Sequence, residues 1–109
     1  MKKITVRVTG SCFPVPVDVE AYQTSIPGLA VMHPPFSDGT PNTRYWNVTH
    51  IISGMQCGRL WSYRADAVAF AERIGPLLDW IQHERLLNPL LTAELRHTIQ
   101  AIQDKLIGE

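Results

Sequence analysis

The chain has 109 residues, enough for one domain with a real core and too few for two, and its 45% hydrophobic and 18% charged composition is that of an ordinary globular protein. Ten basic and ten acidic side chains cancel, so no global field steers the chain onto nucleic acid or an anionic membrane, and any such contact needs a local patch. The basic start runs into alternating residues instead of an apolar run, no stretch is apolar enough to span a bilayer, and Cys12 and Cys57 are too few for a disulfide framework. These features predict a cytoplasmic protein with free thiols and no membrane contact.

Lys3 to Thr9 alternates apolar and polar side chains and is predicted as a half-buried strand. Val15 to Ala21 alternates again, and because Pro16 cannot donate a ladder hydrogen bond the segment is placed at a sheet edge. Leu29 to His33 is a short third strand, followed by turn chemistry from Pro35 to Asn42. Tyr45 to Trp61 reads as a hairpin closed by Ser53-Gly54, with Ile52 opposite Met55, His50 opposite Cys57, Val48 opposite Arg59 and Trp46 opposite Trp61. That register collects Trp46, Val48, Ile52, Met55, Cys57 and Trp61 on one apolar face and leaves Asn47, Thr49, Gln56 and Gly58 on the other.

Ser62 is expected to cap a helix over about 63–87 whose stripe is Ala67, Phe70, Ala71, Ile74, Leu77, Leu78 and Ile81, kinked at Gly75-Pro76. After Asn88-Pro89, Thr92 caps a last helix over 92–107, with Leu95, Ile99, Ile102 and Leu106 inward and Arg96, Gln100, Gln103 and Asp104 outward. The expectation is a single α+β domain over residues 1–109: an N-terminal antiparallel sheet of three to five strands covered by C-terminal helices.

His50 opposite Cys57 would put a base beside a thiol, the pairing a nucleophilic cysteine needs, but no third orienting residue is placed by the sequence. Asp79 and His83 share a helix face without the further ligands a metal requires, and His33 and His97 stand apart from any metal motif. No Gly-rich phosphate loop or paired carboxylates are readable, so no catalytic residue, metal or cofactor is assigned. The open end of the hairpin instead gathers Arg44, Tyr45, Arg59, Tyr63 and Arg64, the residue mix of protein interfaces and of single-strand stacking platforms. Trp80 falls off the helical stripe, and Leu86, Leu87 and Leu90 crowd the Asn88-Pro89 break; the apolar excess predicts a homodimer interface there.

Trp46-Asn47-Val48-Thr49-His50, then Ser53-Gly54, then Ala65, Ala67 and Phe70-Ala71, spanning about residues 44–74, resembles small accessory proteins of phages and other mobile elements, in which a hairpin precedes an Ala-rich helix. The resemblance implies an inhibitor or regulator that binds a host protein, the anti-CRISPR type among them, and it transfers no functional residue. The leading expectation is therefore a non-enzymatic protein acting through a protein–protein surface. The alternatives left open are a nucleic-acid-binding accessory protein using the hairpin face and a small thiol-dependent enzyme using Cys57 and His50.

Overall fold

The computed structural model describes residues 2–8, 15–36, 38–81 and 92–108. Strands β1 (Lys3–Val8), β2 (Val17–Gln23), β3 (Leu29–Met32), β4 (Trp46–His50) and β5 (Met55–Trp61) pair antiparallel with their chain neighbours, so the sheet is a meander in sequence order. Helix α1 (Arg64–Ile74) lies across β3, β4 and β5, and helix α2 (Ala93–Gly108) packs against α1 and β5. The α+β arrangement expected from the sequence is the one observed.

The two ends of the sheet bury opposite faces. Under α1, Leu29, Val31, Val48 and Trp61 meet Ala67, Phe70, Ala71 and Ile74 in one core, with Ile99, Ile102 and Leu106 of α2 against it. Along β1 and β2 the apolar side is the reverse one, where Val6, Val8, Val19 and Ala21 join Ala30 and Met32. Strand β3 serves both cores, and all four of its residues are buried, which explains why its sequence is an unbroken apolar run while β2 alternates. Each large side chain so buried contributes about 1.5–3 kcal/mol. Asn47 and Thr49, also buried, offset their desolvation with each other: Thr49 Oγ1 donates to Asn47 Oδ1 at 2.9 Å and Asn47 Nδ2 to Gln56 Oε1 at 3.2 Å.

Several expectations are corrected. The hairpin turn is not two residues: the Gly54 amide donates to the His50 carbonyl at 2.8 Å, which makes Met55 the partner of His50 and Cys57 the partner of Val48. Trp46 still faces Trp61, because β5 inserts extra residues between Cys57 and Trp61 as a bulge at Gly58, whose φ is 75°. Ile52 and Met55, expected on the apolar face, are exposed.

Strand β2 is an inner strand, since it begins at Val17 and the missing donor of Pro16 falls outside the ladder. The N-cap of α1 is Tyr63 without a side-chain bond, so Ser62 does not cap it. At Gly75-Pro76 the helix breaks: α1 ends at Ile74, a single 3-10 turn follows over Gly75–Leu77, and Leu78 is extended. Pro76 has no N–H to carry the ladder on. Thr92 does cap α2, its hydroxyl accepting the Leu95 amide at 3.2 Å.

Candidate functional site

The bulge in β5 organises the surface at the open end of the hairpin. Gly58 takes a left-handed conformation, and a Cβ there would press on the Phe70 ring and on Gln103 Oε1. The Arg59 amide, next to the bulge, donates to Gln103 Oε1 at 2.8 Å, so a side chain of α2 takes up this donor of β5. Gln103, read as an outward residue of α2, is therefore buried. Its own amide donates to Gln100 Oε1 at 3.2 Å.

Arg59 projects from this point between two adjoining grooves. Its Nε donates to the Leu60 carbonyl at 2.8 Å and its guanidinium carbon lies 5.4 Å from the centre of the Trp61 ring. One groove, of about 710 Å³, is bounded by Tyr45, Arg59, Asp104 and Ile107. The other, of about 260 Å³, is bounded by Arg59, Trp61, Tyr63 and Asp66. Tyr63 is 71% exposed and Ile107 52%, so both present apolar surface beside the Arg59 charge. The indole N–H of Trp61 is buried and has no acceptor among the described residues, a desolvation cost of about 1–3 kcal/mol left standing at the groove wall.

A second aromatic group sits beside it. His33 stacks on Trp46 with ring centres 3.9 Å apart, and its Nδ1 donates to the Tyr45 carbonyl at 2.8 Å. The Arg64 guanidinium lies 5.8 Å from the Trp46 ring centre and 5.6 Å from that of Tyr22. Of the five partner-binding residues expected, Tyr45, Arg59 and Tyr63 line the grooves, Arg64 packs on Trp46 and Tyr22, and Arg44 is exposed on the preceding turn without lining either groove. Sequence reasoning missed Tyr22, His33 and Gln103. Tyr22 lies in β2 and His33 just after β3, both distant in sequence, and Gln103 falls on the polar side of the α2 pattern.

The thiol–imidazole pair does not form. His50 Nε2 donates to the Trp80 carbonyl at 2.7 Å, since a carbonyl can only accept, and Nδ1 shares a hydrogen bond of 2.7 Å with the Ser53 hydroxyl. Burial pushes the Cys57 thiol up to about 11, away from the thiolate a nucleophile needs. Trp80, expected on an exposed dimer patch, is buried in the α1 core, with its indole donating to the Ile74 carbonyl at 3.1 Å. Its partners in that expectation, Leu86, Leu87 and Leu90, lie outside the described residues, as do Cys12 and His83. Asp79 accepts the Ile81 amide at 3.4 Å, and the described residues contain no group of three or more His, Cys, Asp or Glu that could hold a metal.

No helix among the described residues is long and apolar enough to cross a membrane. No family model, curated protein or solved structure matches the chain.

Proposed function

We propose that the protein is a binding protein without chemistry of its own, and that it docks a protein partner on the surface centred on Arg59. The observation that carries this reading is the placement of Arg59 between two adjoining grooves whose rims hold the exposed Tyr63 and Ile107. Arginine and tyrosine beside exposed apolar side chains is the residue mix of binding hot spots, where a few side chains supply most of the affinity. The backing supports it: the Arg59 backbone amide is held by Gln103, and its guanidinium is steered by the Leu60 carbonyl and the Trp61 ring, which lowers the ordering cost of association. Asp66 and Asp104 in the same grooves favour a protein partner over a phosphate backbone, because carboxylates there oppose polyanions. The resemblance to phage and mobile-element proteins makes that partner a host protein whose activity the binding blocks.

Affinity purification from the native host with the wild-type protein, Arg59→Glu and Tyr63→Ala tests it. The expected result is a stoichiometric protein that rebinds the purified wild type and is lost with both variants. Binding of a single-stranded oligonucleotide that falls steeply with salt and is lost with the same variants would replace this reading with a nucleic-acid one.

A further inference from the structure

Strands β1 and β5 are the two edges of the sheet. The β5 edge is interrupted by the bulge at Gly58, and its Arg59 amide is taken by Gln103. At the β1 edge, the register identifies which groups face outward. The Gln23 amide donates to the Lys2 carbonyl at 2.8 Å, and the pairing of Lys3 with Tyr22 sets residue 2 opposite residue 23, so that pair is a hydrogen-bonded one. Alternation along an antiparallel ladder then makes Ile4/Ala21, Val6/Val19 and Val8/Val17 the hydrogen-bonded pairs. The N–H and C=O groups of Lys3, Thr5 and Arg7 point away from β2, and no described residue takes them.

The side chains at those three positions select what can pair there. Lys3, Thr5 and Arg7 stand on one face, the first bound to Glu20 at 2.9 Å and the last to Asp18 at 3.2 Å, with side-chain exposures of 60% and 71% for the two cations. A second copy pairing antiparallel about Thr5 would set Lys3 opposite Arg7 twice, a like-charge arrangement that guards edges against self-association. A strand bearing carboxylates at alternate positions would instead extend the charge order across three strands, acid to Lys3 to Glu20 and acid to Arg7 to Asp18.

We propose that the outer edge of β1 is a docking site for an extended acidic segment of a protein partner, which adds to the sheet as a sixth strand with its carboxylates opposite Lys3 and Arg7. This site lies on the other edge from the Arg59 surface and does not depend on it.

The test uses the full chain and the synthetic peptide acetyl-Val-Glu-Val-Glu-Val-Glu-Val-amide, followed by NMR amide shifts and hydrogen exchange. Added peptide is expected to protect the Lys3, Thr5 and Arg7 amides while leaving Arg59 unchanged. Lys3→Glu/Arg7→Glu weakens the binding by about tenfold or more through charge reversal. Thr5→Pro removes the central outward donor at a position where an edge strand tolerates proline, and it abolishes protection. Arg59→Glu leaves peptide binding intact, which separates this site from the proposed protein-binding surface. Absence of protection at these amides overturns the proposal, and so does equal binding of the corresponding Val-Lys peptide, or dimerisation of the protein through β1 in place of peptide binding.

Discussion

At one edge of the sheet β5 inserts extra residues and bends at Gly58, and the Arg59 amide donates to Gln103 of α2. At the other edge β1 runs regularly against β2 for six residues, and the outward groups of Lys3, Thr5 and Arg7 meet no described partner. An edge strand exposes backbone donors and acceptors with no next strand; β5 is interrupted by a bulge with one amide held by α2, and β1 is regular and guarded by charge. The interrupted edge leaves a platform from which Arg59 and Tyr63 project. The charged edge leaves a ladder that a partner of opposite sign can still enter.

Substitution at Gly58 should give the largest break in this contrast. Alanine there must hold a φ of 75° and place its Cβ against Phe70 and Gln103, so Gly58→Ala should cost about 2–4 kcal/mol of stability in a denaturant titration. A loss below about 0.5 kcal/mol, the range of an ordinary surface change, would mean the bulge is not fixed as described.

Next is the thiol just before the bulge. In a Cys12→Ser background, a thiolate-specific reagent near pH 8 should label folded Cys57 about a hundredfold more slowly than the unfolded chain, because burial raises its pKa from 9.0 to about 11. The sign follows from the acid holding its proton in the folded state: the folded rate should keep climbing with pH towards about 11, while the unfolded rate levels off near 9.0. Equal rates would place Cys57 outside the core.

Gln103→Ala should cost about 1–3 kcal/mol by orphaning the Arg59 amide, and Gln103→Glu, which keeps an acceptor oxygen, should recover part of it. The smallest effect belongs to the open edge: Thr5→Ala should change stability by less than about 0.5 kcal/mol, since its side chain is exposed and its backbone groups face outward.

Much of the β4–β5 hairpin was readable because Trp46, Val48, Cys57 and Trp61 repeat on one face, and α1 because Ala67, Phe70, Ala71 and Ile74 keep helical spacing. The register was not, for a physical reason. Ser53-Gly54 has the composition of a tight turn, but the Ser53 hydroxyl is engaged by His50 and by the Met55 amide at 3.2 Å, which holds a longer loop. Glycine at position 58 reads as a strand residue on the polar face, and the close approach of Phe70 and Gln103 from separate helices, which leaves no room for a Cβ there, is a tertiary feature the local pattern does not carry. The Arg/Tyr mix of the site was visible locally. Its assembly with Gln103, Asp104 and Ile107 depends on where α2 lands.

Hydrogen exchange on the free protein tests the contrast between the edges most directly. The account predicts slow exchange at Ile4, Val6 and Val8, fast exchange at Lys3, Thr5 and Arg7, and slow exchange at Arg59, whose amide is held by Gln103. Uniform protection from Lys3 to Val8, or fast exchange at Arg59, would contradict it.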